Sequence, residues 1–391
     1  MRAAIVYTTF NTGGGSAKLT IKIIEALKNL GYEIDLIVLE KTDRKRAKEN
    51  YGIDFESIID KEIVVFPFKT LPTIYSGYLH WLFRDLIVVP FIKRKYCVTI
   101  TTQQLMPLVF TDVLYMHFPD FLPSSLELYH PKYTESFSMK VYFQPYKFLA
   151  TIVSGMFRYV KCKPLILTNS NFSKSVIQEW LGVKCSVVYP PVDLEKIPPC
   201  AKNRARKDIV LTISRIEETK RLETIIEIAK KTRSDLKFVI VGNTYGHRLG
   251  QYLENFVKKV KDAGVSDRVI VIVNASEKEK LYWFSQAVIF LHPMKWEHFG
   301  IAVVEGMAAG LIPVVHKSGG PWIDITELGR YGFGFKDSDD AAHIIDEILG
   351  NKLLIEKSKK NALHRSLEFS DKRFSQEFTR IINNLVDSKG A

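Results

Sequence analysis

Ala3 to Phe10 (AAIVYTTF) is an apolar run rich in β-branched and aromatic residues, and it ends at Asn11-Thr12-Gly13-Gly14-Gly15. That composition and its glycine stop predict a strand followed by a loop. From Ala17 to Leu30 apolar residues recur at helical spacing, Gly31 predicts the end of that helix, and EIDLIVLE (Glu33 to Glu40) predicts the next strand. Further strands are predicted at Cys97 to Thr101, Val113 to His117 and Pro164 to Ser170, the last followed by a helix through Leu181. Strands alternating with helices imply an open parallel α/β sheet in the first half of the chain.

Four prolines lie between Val187 and Cys200, and a charged AKNRARKD run follows, which is the composition of an interdomain linker. The alternation then restarts with strands DIVLTIS, LKFVIVG, RVIVIV, VIFLHP and LIPVVH, and with helices from Leu222, Gly250, Glu277 and Ile301. Two doubly wound domains in tandem are expected, residues 1–190 and 208–370, joined by a linker at 191–207. The tail, 371–391, carries Phe374, Phe378, Ile381, Ile382 and Leu385 on one helical face and is expected to pack back towards the N-terminal domain.

With 46% hydrophobic and 25% charged residues the 391-residue chain is globular, with a core large enough to need no staples. Cys97, Cys162, Cys185 and Cys200 show neither C-x-x-C spacing nor a framework pattern, which argues against a zinc ribbon or a disulfide scaffold and suits the reducing cytosol. The net charge of +12 is spread evenly, with 24 basic and 18 acidic residues in 1–200 and 31 and 25 in the remainder, so a nucleic-acid footprint is not expected. One segment departs from this. Ser136 to Gln178 has six cations (Lys140, Lys147, Arg158, Lys161, Lys163 and Lys174), eight aromatics and no acid. That mixture suits an anionic membrane surface, or else a basic solvated face over core aromatics. Arg2 is followed by only a short apolar strand, and the uncharged stretch Phe148 to Phe157 is about half the length that a spanning helix needs, so neither a signal peptide nor a transmembrane helix is expected.

In open α/β sheets ligands bind beyond the carboxyl ends of strands, which directs attention to three loops. Gly13-Gly14-Gly15-Ser16 opens a helix, where missing side chains let a phosphate approach backbone amides. It is a poor dinucleotide fingerprint, because Lys18 stands where the third glycine is needed, and no phosphate-loop motif of the NTPase type occurs. Ser214 to Arg221 places Arg215 and Lys220 after the first strand of the second domain, as a diphosphate leaving group requires. Pro293 to Gly310 holds Glu297 and Glu305 separated by seven residues, and His316-Lys317-Ser318-Gly319-Gly320-Pro321 follows. Glu305 sits in an apolar run, so its carboxylate needs a hydrogen-bonding partner, which sugar or ribose hydroxyls can supply. Nine histidines without a ligand-spaced motif make a bound metal unnecessary.

The frame Glu297-x-Phe299-Gly300-x-x-x-x-Glu305-x-Met307-Ala308-x-Gly310 resembles that of the family 4 glycosyltransferases, retaining enzymes of the GT-B fold. His117-Phe118-Pro119, HFGIAVVEGMAAG and SGGPWIDI resemble, within it, the α-1,2-mannosyltransferases that extend the lipid-linked oligosaccharide of asparagine glycosylation. The resemblance implies two Rossmann-like domains facing a central cleft, with a C-terminal helix crossing back. It implies that Arg215 and Lys220 hold the nucleotide diphosphate, Glu305 the nucleotide ribose and Glu297 the donor-sugar hydroxyls, while His117 faces that sugar. Phe299, Gly300 and Ile301 would offer amides to the donor, and Gly14 and Gly15 would close the cleft from the other side.

The function expected from this resemblance is transfer of mannose from GDP-mannose, with retention, to a lipid-linked glycan acceptor. The protein is expected to be cytoplasmic and peripheral on the cytosolic face of an anionic membrane, with no cofactor, no metal and no nucleic-acid partner. A UDP-sugar donor with another acceptor stays open as an alternative, as do a nicotinamide-dependent oxidoreductase and a non-catalytic membrane- or nucleic-acid-binding module.

Overall fold

The computed structural model describes residues 1–11, 14–65, 84–102, 110–119, 164–197, 208–233, 235–244 and 247–390, with positions 148, 151, 152 and 155 between them. It divides into two compact units, Met1–Pro191 with Lys372–Ala391, and Val192–Asp371. Most of the basic segment (136–147, 149–150, 153–154 and 156–163) and residues 198–207 of the expected linker lie outside the described residues. No helix among the described residues is long and apolar enough to cross a membrane.

The first unit is built on strands β1 (Arg2–Val6), β2 (Glu33–Val38), β3 (Lys61–Val64), β4 (Val98–Thr101), β5 (Val113–Met116), β6 (Leu165–Thr168) and β7 (Ser186–Val187). They form one parallel sheet in the order β3-β2-β1-β4-β5-β6-β7, with Ile5 in register with Leu36 on one side and Ile100 on the other. Alternate residues of β1 serve opposite faces. Ala3 and Ile5 join the core formed with the helix Gly15–Asn29, while Ala4 and Val6 meet Val89 of the short helix Val89–Lys93. A strand covered on both faces is apolar at every position, which is why β1 reads as a continuous run.

The helix Asp371–Gly390 completes this unit. Its Phe374, Phe378 and Ile382 are buried in the first core, and the Phe374 and Phe378 rings stack with centroids 5.6 Å apart. Near its end Lys389 Nζ lies 2.7 Å from Asp112 Oδ1 and donates to the Cys97 carbonyl. Burial acts to raise the Asp112 carboxyl, but Lys389 and Thr99 more than offset it and hold the group below the ordinary range.

The second unit has strands β8 (Ile209–Ile213), β9 (Lys237–Gly242), β10 (Val269–Val273), β11 (Ile289–His292), β12 (Ile312–His316) and β13 (Phe333–Phe335). Their order, all parallel, is β10-β9-β8-β11-β12-β13. The chain builds outward from β8 to β10, returns to place β11 against the other side of β8, and builds outward again. Connections leaving β8 and β11 therefore run in opposite directions and leave a crevice beyond their carboxyl ends.

Several elements go beyond the sequence expectation. β3, β7 and β13 are short and lie at or near sheet edges, where half-exposed residues break the apolar run. The helices Ser338–Gly350 and Lys352–Ser366 pack in the second unit and are capped by Asp337 and Asn351, whose side chains accept from backbone amides one turn on.

Candidate functional site

The crevice between β8 and β11 is flanked by the two loops that carry Lys220 and Glu297. After β8 the chain turns through Ser214 to Arg221 and ends in a single turn of 3-10 helix, Glu218–Lys220, whose cap Arg221 takes a left-handed φ of 54°. This conformation carries Lys220 back over the strand end. Its Nζ lies 2.6 Å from Glu297 Oε2 and 3.1 Å from Met294 Sδ, both in the loop after β11. The side chains of Lys220 and Glu297 are only 13% and 16% exposed, so their attraction is little screened.

Glu297 is held from several directions. His292, the last residue of β11, places Nε2 3.4 Å from the same carboxylate oxygen. Burial acts to raise the Glu297 carboxyl, and Lys220, then His292 and His298, overcome that and hold it well below the ordinary carboxylate range. Its backbone is clamped by the segment after β12. The Gly320 amide donates to the Glu297 carbonyl at 2.8 Å, and Ser318 Oγ accepts from the Trp296 amide while also meeting His316 Nδ1. A Cβ on Gly319 would lie 2.8 Å from the Glu297 nitrogen, so only glycine permits this approach. The His316 to Pro321 motif thus acts as a buttress for the Glu297 loop.

Helix Ile301–Ala308 starts immediately beyond, capped by Gly300 at a left-handed φ of 100°. Its first turn carries no acidic side chain, so no carboxylate of its own occupies the positive helix end. Glu305 lies one turn further along. One oxygen of its carboxylate is already engaged, because Lys280 Nζ donates to Oε1 at 3.0 Å.

Arg215 is placed differently from Lys220. Its side chain is 60% exposed, and its guanidinium pairs with Glu217 at 3.0 Å. The structure thus brings Lys220 and Glu297 together in the resting protein, and leaves Arg215 on the flank of the same loop.

His117, Gly14 and Gly15 belong to the first unit. His117 follows β5, its Nε2 is buried without a hydrogen-bond partner among the described residues, and burial pushes its pKa down to about 4. Gly14 caps the helix Gly15–Asn29 at φ 154°, with open space where a Cβ would stand. Tyr7, just after β1, shares a 3.0 Å hydrogen bond with Ser16 and ties that helix start to the strand end.

Two site residues escape the sequence reading. His292 reads as the end of an apolar strand, and Lys280 lies in the charged run Glu277-Lys278-Glu279-Lys280, where nothing marks the one lysine that turns inward. A hollow of about 670 Å³ in the same unit is lined in part by Arg221, Lys295, His316 and Lys336, and by none of Arg215, Lys220, Glu297 or Glu305. His316 there is pushed down to about 4 by burial and by Lys295 and Arg221. Among the described residues no group of three or more His, Cys, Asp or Glu could hold a metal ion.

Residues 195–365 match the model of the family described as Glycosyl transferases group 1. The GDP-Man:Man(3)GlcNAc(2)-PP-Dol alpha-1,2-mannosyltransferase of Dictyostelium discoideum is 29% identical over 240 residues, covering 57% of this chain and 48% of the relative. The chain spans about half the length of such relatives. The alpha-1,3/1,6-mannosyltransferase ALG2 of the same organism is 23% identical over 95% of this chain and 96% of its own length. Among solved structures, sucrose-phosphate synthase from Thermosynechococcus elongatus superposes with a TM-score of 0.75 at 16% identity, over 99% of this chain and 100% of that one. Residues 195–365, which contain the β8–β11 crevice, therefore resemble a glycosyl transferases group 1 domain, and the chain has the GT-B fold.

Proposed function

We propose that the protein is a retaining mannosyltransferase that moves mannose from GDP-mannose to a lipid-linked glycan. The observation that carries the reading is the Lys220–Glu297 pair, set at the switch point of the second sheet and directly before the helix that bears Glu305. The relatives named for GDP-mannose and a lipid-diphosphate-linked oligosaccharide support the donor and the acceptor.

In this reading the diphosphate settles against the amides at the start of helix Ile301–Ala308, with Lys220 and Arg215 supplying positive charge where the leaving group gains negative charge. Glu297 stays ionised and accepts from the sugar hydroxyls, and Glu305 accepts from the ribose. Transfer with retention proceeds on one face of the sugar. The bond from the anomeric carbon to the phosphate oxygen breaks, and the acceptor oxygen bonds to that carbon on the same side. The acceptor's proton passes to the departing phosphate. His117 is assigned to the sugar, where burial keeps its imidazole neutral and able to share a hydrogen bond.

Lys220 and Arg215 stand in for the charge that a metal would otherwise provide, and the reaction is read as metal-independent; equal turnover in EDTA and in magnesium tests this. Docking on an anionic membrane is supported by Phe91, 78% exposed, and Ile87, 56% exposed, beside Lys93-Arg94-Lys95. Thermal-shift screening of nucleotide sugars tests the donor. GDP-mannose should raise the melting temperature most, and a larger shift with a UDP-sugar would reassign the base.

A further inference from the structure

Lys280 belongs to the helix Glu277–Gln286, which precedes β11, and Glu305 to the helix that follows it. Lys280 Nζ bridges the two helices, 3.0 Å from Glu305 Oε1 and 3.4 Å from Glu277 Oε1. The Lys280 and Glu305 side chains are only 14% and 12% exposed, and the ammonium lies 5.8 Å from the centroid of the Phe284 ring. Burial acts to lower the Lys280 ammonium, but Glu305 and Glu277 more than compensate, so it stays charged. Glu305 Oε2 accepts no hydrogen bond from the described residues.

A glutamate on a helix surface samples several rotamers, and a ligand that needs one of them bears the cost of freezing the rest. Lys280 removes that cost in advance. It occupies one carboxylate oxygen from the protein side and leaves the other to accept from a ligand. An oxygen so held discriminates strongly between a hydroxyl and a hydrogen atom, because a ligand lacking the hydroxyl leaves a shielded charge without its donor.

We propose that Lys280 is the positioning residue of the nucleotide subsite: by pinning Glu305 Oε1 it aims Oε2 at the ribose diol, and so sets the preference for ribonucleotides over nucleotides lacking those hydroxyls. The inference rests on the assignment of Glu305 to ribose.

The test is calorimetric, on the full chain, with GDP and 2′,3′-dideoxy-GDP, and with the corresponding UDP pair in parallel because the argument concerns the sugar and not the base. Wild type should bind the ribonucleotide at least about tenfold more tightly than its dideoxy analogue, the scale of a hydrogen bond to a charged group. Lys280→Met should reduce that ratio to within about threefold, mainly by weakening the ribonucleotide, and Lys280→Arg should restore most of it. Glu305→Gln separates the two claims. A lost ratio in Glu305→Gln with an intact ratio in Lys280→Met overturns the positioning role and keeps the ribose assignment, whereas an intact ratio in Glu305→Gln overturns the ribose assignment itself. Equal weakening of both nucleotides in Lys280→Met would reduce Lys280 to a structural residue. Should Lys280→Met fail to fold, Lys280→Ala, which likewise removes the donor and leaves room for water against Glu305, provides the comparison.

Discussion

Lys220 Nζ and Glu297 Oε2 meet at 2.6 Å across the crevice between β8 and β11, one contributed by the loop after each strand. Each is therefore the other's counter-ion in the resting protein as well as a group assigned to the donor. Lys220→Met should lower kcat/KM by more than about a hundredfold, corresponding to about 3 kcal/mol for one preorganised charge at the leaving group. It should also destabilise the fold, because a shielded Glu297 is left without its cation. The double variant Lys220→Met with Glu297→Gln should recover melting temperature but not activity. Turnover of the single variant within threefold of wild type at saturating donor would remove Lys220 from the leaving-group site.

The two glutamates are assigned to different parts of the donor and should be separable. Glu305→Gln should weaken binding of GDP alone by about tenfold, the scale of a hydrogen bond to a charged group. Glu297→Gln should leave free GDP binding within about twofold and damage sugar transfer, because its partner in the donor is the sugar. Titration of both variants with GDP checks this, and equal losses would contradict the division.

Because His117 is pushed from an ordinary value of 6.5 to about 4, the unfolded chain binds a proton that the folded one refuses between those values. Its contribution to stability is complete above pH 6.5 and is lost as pH falls towards 4, by up to about 3 kcal/mol. His117→Gln should show a shallower loss of stability over that window in urea titrations. An unchanged slope would mean that His117 is already protonated in the folded protein.

If Ser136 to Gln178 and the Phe91 surface both meet a membrane, they should contribute in different ways. Replacing Lys140, Lys147, Arg158 and Lys161 by Glu should abolish flotation with anionic liposomes at low salt, since each cation contributes about 1 kcal/mol near the surface. Phe91→Asp should weaken flotation at all salt concentrations. Activity on a water-soluble acceptor controls for folding. Wild-type flotation of both variants would place the docking surface elsewhere.

The central strands were legible because each is covered on both faces and therefore apolar throughout, as Ala3 to Val6 and Ile289 to Leu291 show. β7, only two residues long, has no periodicity to detect. In the site, Lys220 and Glu297 were legible as types at strand ends, but their pairing was not. It depends on a left-handed turn at Arg221 and on a loop clamped by Gly319 and Gly320, and both are tertiary facts. Glu305 shows the same limit. Its apolar neighbours reveal that it needs a partner, while the partner, Lys280, comes from another helix and carries no local mark.

The most direct test of the account is the anomeric configuration of the product, determined by NMR after incubation of the full chain with GDP-mannose and a lipid-diphosphate-linked oligomannose acceptor. Retaining transfer from the α-configured donor predicts an α-mannoside formed together with free GDP. A β-mannoside, or turnover with a UDP-sugar and none with GDP-mannose, would contradict it.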